Sequence, residues 1–453
     1  MKDLTQGSIT RHILEMAAPM AAGMIIQTLY YLVDLYFVAR LGDAALAGVS
    51  AAGNVMFIVL GLTQVLGVGT MALISHAVGR KDHTDANLIF NQSLVLSIVC
   101  TVAMLLGGYG LASEYMHLIG ADADTAAAGI TYLHFYLPGL ALQFSMVAMS
   151  SALRGTGIVT PTMIVSIVTL LLNIILAPIL IAGWGSGHAF GVAGAGLAST
   201  LAVAVGVAML SVYFMRLEKY VSFDRVLWRP RFATWKRMLG IGLPAGCEFG
   251  LMFVYMAVIY WIIRDFGASA QAGFGIGSRV MQAVFLPVMA VAFSVAPIAG
   301  QNFGARQPAR VRETFRSAAL IGSALMLLLT LLCQWQPQWF VRGFSSDPKV
   351  IEVGAQFLHI ISWNFVASGI IFTCSGMFQA LGNTWPAFIS TATRLVTFAI
   401  PAIWLSRQPN FHIDYVWYLS VATVTLQTII SVLLVQQQLR RRLPMSAVIA
   451  GVG

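Results

Sequence analysis

Charged residues are scarce in this sequence. Asp, Glu, Lys and Arg make up only 9% of its 453 residues, whereas 58% are hydrophobic. Soluble domains have about 25% charged residues, so this chain has too few to cover a surface that faces water. The composition therefore excludes an ordinary soluble enzyme or binding domain and indicates a protein that lies in a membrane.

Cysteines and metal-ligand motifs are scarce as well. The four cysteines lie far apart inside apolar segments without a CxxC pair, so the sequence predicts neither a disulfide framework nor a zinc site. Paired DxxxD motifs and the HExxH motif do not occur. We therefore expect no cofactor, no bound metal and no enzymatic activity. A membrane-embedded isoprenoid transferase, which would need such ligands, is the least favoured function.

Long apolar runs fill the chain from end to end. A transmembrane helix needs about 20 apolar residues, and the runs of about 18 or more recur along the whole sequence. The first run is longer than the core of a signal peptide, so we expect it to stay as the first helix. We predict an all-α polytopic membrane protein with twelve transmembrane helices, at about 13–40, 46–74, 90–112, 129–152, 161–183, 190–214, 239–263, 271–299, 317–335, 352–379, 386–406 and 414–437.

The two halves of the chain match at an offset of 225 residues. The matched pairs include Pro19 with Pro244, Gly42 with Gly267, Gly157 with Gly382, and Pro161 with Pro386. We predict two six-helix lobes, an N-lobe at 1–215 and a C-lobe at 238–440, with a cytoplasmic basic linker at 216–237 and a tail at 441–453. Because six is even, both lobes enter the membrane from the same side, and a pseudo-twofold axis along the membrane normal would relate them.

Basic residues lie mainly on one side of this topology. If the N-terminus is cytoplasmic, 19 of the 26 Lys and Arg residues fall on the cytoplasmic side, seven of them between Arg216 and Arg237. The positive-inside rule then places both termini in the cytoplasm. The basic residues behind the net charge of +9 therefore set the orientation in the membrane, and contact with anionic lipid head groups is their secondary role. We expect no nucleic-acid partner.

Asp34 lies inside the first apolar run, in the stretch YYLVDLYFVARLG at 30–42. A carboxylate at such a depth costs about 2.5–3.5 kcal/mol, so it is rarely present without a function. Tyr30 and Gln27 lie four and seven residues earlier, on the same helical face. We interpret Asp34 as a protonatable or ion-binding carboxyl group beside Tyr30. The alternative is a carboxylate buried for packing specificity.

A second acidic side chain and a proline complete the candidates that the residues themselves suggest. Glu248 is the only acidic residue deep in the seventh predicted helix. We assign Glu248 to a substrate cavity, together with Gln27 and Gln143, where its charge would attract a cationic compound. Pro19 removes a backbone hydrogen bond inside the first helix, and we assign it as a hinge. A static kink is the alternative.

Several longer stretches carry a specific combination of residues. They are APMAAGMIIQTLYYLVDLYFVARLG in helix 1, HAVGRKDHTDA after helix 2, SALRGTGIVTPT after helix 4, LLNIILAPILI in helix 5, GVAGAGLAST in helix 6, and the weaker GQNFGARQPAR and SGMFQALGNTWPA. Together they resemble the multidrug and toxic compound extrusion (MATE) family, most closely its DinF-like branch. The resemblance implies a twelve-helix, two-lobe exporter of organic cations or other amphipathic drugs, driven by inward flow of H⁺ or Na⁺.

The resemblance also implies roles for particular residues. Asp34 and Tyr30, with Asn173 on helix 5 and Thr200 on helix 6, match polar members of the family's N-lobe site. Interhelical hydrogen bonding is the alternative for Asn173 and Thr200. Many members have a second aspartate where this chain has Ala177. The site thus loses one carboxylate, which favours H⁺ over Na⁺ as the coupling ion.

The C-lobe departs further from the family. Some members have a functional glutamate in helix 7, but later in the helix than Glu248, which comes four residues after Pro244. The stretch SWNFVASGIIFTCSG of helix 10, where such members have an aspartate, has no acidic residue here. The C-lobe cation site of those members is therefore not carried over to this chain.

We expect a secondary active antiporter, acting as a monomer, that exports amphipathic or cationic compounds in exchange for H⁺, with Na⁺ as the alternative ion. A flippase for lipid-linked oligosaccharides, from the same superfamily, is the nearest alternative. Its cavity would be strongly basic, and only Arg279 and Arg394 lie in the spans. These two arginines either pair with acids or reach the membrane surface, and we assign neither a role. A cation channel is disfavoured because no pore-loop motif occurs.

The charge distribution makes the topology testable. A reporter fused after Leu443, or inserted in the linker at 216–237, should lie in the cytoplasm, whereas one near Gly343 should lie outside, because basic residues collect on the cytoplasmic side. Paired alkaline phosphatase and green fluorescent protein fusions measure this. Phosphatase activity at either of the first two positions would contradict the predicted orientation.

Overall fold

The computed structural model describes residues 1–120, 122–185 and 187–443. Every regular element within these ranges is helical, so the all-α prediction is confirmed. The α-helices are α1 (Ile9–Ala39), α2 (Asp43–Gly79), α3 (His83–Ile119), α4 (Ala123–Gly155), α5 (Thr160–Ala182), α6 (Val192–Arg216), α7 (Phe232–Ile263), α8 (Ala268–Gly304), α9 (Pro308–Trp335), α10 (Pro337–Arg342), α11 (Pro348–Ile361), α12 (Asn364–Ala380), α13 (Trp385–Ser406) and α14 (Ile413–Arg442).

All twelve predicted spans can be recognised among the described helices. Eleven helices are long and apolar enough to cross a membrane alone, and α11 with α12 form a twelfth span as a pair bent by 59°. The helix α10 has six residues and is too short to cross. The helices α2, α3 and α8 have 37 residues each and extend well beyond their apolar runs.

The tenth predicted span, 352–379, is this bent pair rather than one helix. At the break, the Trp363 N–H donates to the carbonyl of Ile360, which leaves the His359 carbonyl outside the regular helical pattern. Gln334 on α9 donates from Nε2 to the His359 carbonyl at 2.6 Å and to Ser362 Oγ at 2.7 Å. A side chain inserted into the hydrogen-bond ladder bends a helix, and no proline marks the position in the sequence.

A carbonyl outside the regular helical pattern also occurs at the matching position of the first half. In α4, Pro138 lacks the N–H that would bond to the His134 carbonyl, and Tyr109 Oη on α3 donates to that carbonyl at 2.8 Å. These three residues lie 225 positions before Trp363, His359 and Gln334, which act at the break between α11 and α12. The sequence repeat is therefore preserved in the way each half satisfies a carbonyl that its helix leaves free.

Unusual backbone conformations follow the repeat too. Two non-glycine residues of the described chain have positive φ, Lys81 at 60° and Arg306 at 56°. Positive φ is uncommon for residues with a side chain, and these two lie 225 positions apart. Gly157 and Gly382, with φ of 81° and 66°, form a second such pair. The repeat is thus structural as well as sequential.

Contacts divide the chain into two compact units. The first contains Met1–Asp3 and Pro19–Gly242, and the second contains Leu4–Ala18 and the chain from Leu243 onward. This division differs from the predicted boundaries, because residues 4–18 group with the second unit and the linker at 216–237 groups with the first. The boundary inside α1 falls at Pro19, the residue assigned as a hinge.

Leu4 anchors the N-terminal segment in the second unit. Its N–H donates to Gln301 Oε1 at 3.0 Å, and its carbonyl accepts from Asn302 Nδ2 at 3.1 Å and Arg310 Nη2 at 3.2 Å. Gln301 and Asn302 are fully buried near the end of α8, where polar groups need partners. The backbone of the segment supplies those partners.

Asn91 and Gln92 on α3 hold the basic linker within the first unit. Both side chains are fully buried. Asn91 donates to the Ser222 carbonyl at 2.9 Å and accepts from Trp228 Nε1 at 3.0 Å, while Gln92 donates to the Leu227 carbonyl at 2.6 Å. Hydropathy shows the linker only as a polar loop, whereas the structure shows a segment fastened by two buried amides.

Two glycines of α6 allow a close approach to its neighbours. A Cβ at Gly194 would lie 2.2 Å from the Leu180 carbonyl oxygen, and a Cβ at Gly196 would lie 2.7 Å from the Tyr132 carbonyl oxygen. Small residues at interfaces let membrane helices pack at short distance. The packing at Gly196 fixes α6 beside the segment of α4 that carries Tyr132.

Replacing Asn91 by Ala should release the linker. Loss of one buried amide leaves linker groups without partners and should cost about 1–3 kcal/mol of stability. Trypsin should then cut the basic linker several times faster in purified protein, and the Tm should fall. Gln437→Ala, at an exposed α14 position without a hydrogen bond in the described chain, is the control. Equal cleavage rates in the two variants would contradict the fastening role.

Candidate functional site

Asp34 is held by a tyrosine and not by a cation. It lies on α1 and is half-buried, and its carboxyl group is hydrogen-bonded to the side chain of Tyr132 on α4. Its Oδ1 atom is buried without a hydrogen-bond partner among the described residues. No ion pair to Asp34 occurs in the described chain. A carboxyl group with one hydrogen bond, no fixed counter-charge and an unused oxygen is able to bind a proton or a cation.

Tyr132 is the partner that sequence reasoning missed. Its side chain is 4% exposed, and its ring lies 4.9 Å from that of Tyr136, one turn later on α4. The signal in the sequence is the pair of tyrosines at i and i+4 in TYLHFY, inside an apolar span. That pattern alone does not tell which aromatic residue reaches a carboxylate on another helix.

Asn173 on α5 is fully buried, and neither its Nδ2 nor its Oδ1 has a hydrogen-bond partner among the described residues. Ser199 Oγ on α6 is also buried without a hydrogen-bond partner among the described residues. An unsatisfied buried polar group costs about 1–3 kcal/mol, so these atoms of Asn173 and Ser199 are candidates for binding a polar ligand or an ion. No hydrogen bond joins Asn173 to Asp34 in the described chain.

Ala177 is fully buried one turn after Asn173 on the same face of α5. A methyl group therefore occupies the interior position where the resemblance implies an aspartate in many family members. This face of α5 therefore has the hydroxyl of Thr169 and the neutral amide of Asn173 among its buried side chains, and a methyl group in place of the carboxylate.

Thr200 is engaged in the structure of α4. Its hydroxyl donates to the Phe135 carbonyl at 2.6 Å and accepts from the Gly139 N–H at 3.2 Å. These two backbone groups would bond to each other in a regular helix, so the hydroxyl is inserted into the ladder directly after Pro138. The hydroxyl proton is thereby committed to α4. Its assignment to the coupling site stays a prediction, and its observed role is to hold α4 three residues beyond Tyr132.

The remaining candidates of the first unit lie on α1 and α4. Tyr30 is half-buried on α1, one turn before Asp34. Gln27 is exposed and Gln143 on α4 is half-buried, and neither makes a hydrogen bond to another described residue. Pro19 lies inside the continuous helix α1. The assignments of these residues to coupling, substrate cavity and hinge stay predictions.

Glu248 in the second unit is surrounded by neutral donors. Thr391 Oγ1 donates to its Oε1 at 3.3 Å, and Ser375 Oγ donates to its Oε2 at 3.4 Å. Gln427 Nε2 in turn donates to Thr391 Oγ1 at 3.2 Å. These partners come from α12, α13 and α14, and no ion pair to Glu248 occurs in the described chain. Sequence reasoning found the carboxylate and missed the three side chains that surround it.

Comparison with known proteins supports a single family. The MatE family profile matches residues 19–179 and 244–405. The FAD transporter of Shewanella oneidensis is 25% identical over 409 residues, which cover 88% of this chain and 89% of that protein. The multidrug export protein MepA of Staphylococcus aureus is 23% identical over 415 residues, which cover 91% of each chain.

A solved structure, described as the outward-facing conformation of a multidrug resistance MATE family transporter, shares this fold. Its TM-score is 0.90 at 24% identity, over 97% of this chain and 98% of that one. The two profile matches begin at Pro19 and Pro244, so each contains one copy of the repeat, and together they cover more than half of the chain. They identify the family and not its DinF-like branch, which stays a prediction. The chain belongs to the MATE family of multi-pass membrane transporters.

Proposed function

We propose that this protein is a secondary active antiporter that exports amphipathic, mainly cationic compounds in exchange for H⁺. The observation that carries the proposal is the Asp34 carboxyl group, which lies in a membrane span with a tyrosine partner, an unused oxygen and no basic partner in the described chain. The relative MepA, which is named a multidrug export protein, supports the same activity. Export by this chain would take place across a bacterial plasma membrane, since MepA is bacterial.

The charge of the binding groups favours cations as substrates. The relative from Shewanella oneidensis is named for FAD, an anionic dinucleotide, so the relatives' names differ in the charge of the compound they state. In this chain Asp34 and Glu248 are both acidic side chains within spans, and neither has an ion-pair partner in the described residues. A carboxylate without a counter-ion attracts a cationic centre most strongly where water is scarce.

The donor set favours H⁺ over Na⁺ as the coupling ion. A hard metal cation takes several oxygen ligands, usually including carboxylates. Ala177 removes one carboxylate from the interior face of α5, and the Thr200 hydroxyl oxygen already accepts a hydrogen bond from the Gly139 N–H. A single proton neutralises Asp34 without such a set of ligands.

The exchange follows from competition for one carboxyl group. With Asp34 ionised, a cationic compound is held; when Asp34 takes up a proton from the outside, that attraction is lost and the compound is released. Release of the proton to the more alkaline cytoplasm restores the carboxylate. Pro19 has no N–H to donate to the preceding turn of α1, so α1 is able to bend there between the two states.

Asp34→Asn should abolish efflux and leave folding and membrane insertion intact, because the amide cannot exchange a proton. Efflux of a cationic dye from proteoliposomes, under separately imposed H⁺ and Na⁺ gradients, measures this. Asp43→Asn, at an exposed position in the first turn of α2, is the matched control and should transport normally. Transport driven by a Na⁺ gradient at fixed pH, or an active Asp34→Asn protein, would overturn the mechanism.

Glu248→Gln should reduce efflux of cationic drugs more than that of neutral drugs. The amide keeps the size of the side chain and can still bond to Thr391 and Ser375, but it has no charge to attract a cation. Initial efflux rates for one cationic and one neutral compound, compared within the same proteoliposomes, give the ratio. Glu352→Gln on α11 is the control. An unchanged ratio would remove Glu248 from the substrate cavity.

A further inference from the structure

Arg394 is a membrane-embedded cation without an acidic partner among the described residues. It lies in the middle of α13, nine residues after Trp385 and about 14 Å along the helix from it. Its Nε atom is buried and has no hydrogen-bond partner, and its guanidinium makes no hydrogen bond or ion pair with any described residue. A cation at this depth is costly, so such residues face a protein interior or a water-filled space and have a function.

The guanidinium is seated on an aromatic ring. Its Cζ atom lies 4.3 Å from the centroid of the Tyr255 ring on α7. Such a cation–π contact offsets only part of the cost of keeping a cation in the membrane. It also holds the side chain at the depth of Tyr255, which argues against a side chain that extends to the membrane surface. The guanidinium on Tyr255 therefore still needs a counter-charge.

The ring beneath Arg394 is itself fixed. Tyr255 Oη lies 2.9 Å from Ser420 Oγ on α14, and the ring packs against Phe398 with a centroid distance of 4.7 Å. Asn364 on α12 approaches the same Ser420 hydroxyl at 3.5 Å, and its Oδ1 is buried without a partner. Four helices therefore form one polar and aromatic cluster around Arg394, which prepares the guanidinium before any ligand arrives.

Glu248 does not neutralise Arg394. Its carboxylate accepts from Thr391, one turn before Arg394 on α13, and from Ser375, and it forms no ion pair with the guanidinium. Arg279, the other arginine within a span, is exposed on α8 and has no ion pair in the described chain either. Arg394 differs from Arg279 by its burial and its fixed aromatic support.

The repeat shows that the two units differ in charge at corresponding places. Tyr255 lies 225 positions after Tyr30. In the first unit, Tyr30 precedes the carboxyl group of Asp34 by one turn, whereas the same place after Tyr255 holds Ile259. The charge that accompanies Tyr255 is instead the guanidinium of Arg394, contributed by α13.

We propose that Arg394, seated on Tyr255, is a binding site for an anionic group, namely a carboxylate, sulfonate or phosphate. A guanidinium binds such groups through two parallel hydrogen bonds, which a lysine cannot do. Resting on the proposed export function, this assigns to the transporter a substrate class of aromatic compounds that carry an acidic group, including zwitterions whose cationic centre meets Glu248. The phosphate of a lipid head group shares this chemistry and is separated by the test below.

The test uses a rhodamine with a free carboxylate and its methyl ester, two dyes with the same cationic ring system. Fluorescence anisotropy gives the Kd of both dyes for the purified full-length protein in phosphatidylcholine nanodiscs. Arg394→Gln should weaken binding of the carboxylate dye at least about tenfold and change binding of the ester less than about twofold. Arg394→Lys should give an intermediate loss. Arg407→Gln, after the end of α13, is the control and should bind both dyes normally.

Retained binding of the ester shows that Arg394→Gln is folded; if both dyes are lost in that variant, the Kd ratio of Arg394→Lys decides. In a variant that still binds the ester, an equal effect on the Kd of the two dyes, or no effect on either, would overturn the proposal. Adding phosphatidylglycerol should leave the Kd of the carboxylate dye unchanged. Strong competition by this lipid would assign the site to a head group and overturn the substrate class. Efflux of the ester by wild-type protein is scored separately, so failure of export is distinguishable from failure of the anion site.

Discussion

Polar groups inside a membrane must find partners within the protein, and this requirement organises the whole structure. In hydrocarbon no water replaces a lost hydrogen bond, so a free carbonyl or a charge is costly. Pro138 frees the His134 carbonyl, and Tyr109 satisfies it; at the matching place Gln334 satisfies His359. Each half of the protein thus leaves one carbonyl of a span outside the helical pattern and satisfies it with a side chain from a neighbouring helix.

Some buried polar groups have no hydrogen-bond partner within the described chain. In the first unit they include Asp34 Oδ1 and both amide atoms of Asn173, and in the second unit they include Arg394 Nε and Asn364 Oδ1. A transporter needs such groups, because a compound or ion that binds must be able to leave again. Polar groups whose hydrogen bonds were all made within the protein would have no free position for a compound or an ion.

Duplication supplied two similar scaffolds, and the charged side chains then diverged. The repeat keeps the turn with positive φ at Lys81 and Arg306 and keeps the tyrosine at 30 and 255. It does not keep the charge, because the carboxyl group of Asp34 has Ile259 at its matching position. The packing of the helices constrains the backbone geometry in every state of the protein, whereas the bound compound or ion constrains the charged residues. The backbone and the charged side chains are therefore able to change independently.

Much of the fold and part of the site could be predicted from the sequence, because hydrophobic length, the 225-residue offset and the isolated acids at 34 and 248 are local properties of the chain. The break at Trp363, the fastening of the linker by Asn91 and Gln92, and the partners Tyr132, Thr391 and Ser375 were not predicted. Each depends on a side chain from a distant helix. Composition and periodicity determine which segments enter the membrane, but only the packing of those segments decides which polar atoms meet, since a hydrogen bond requires an approach of about 3 Å that no sequence spacing specifies.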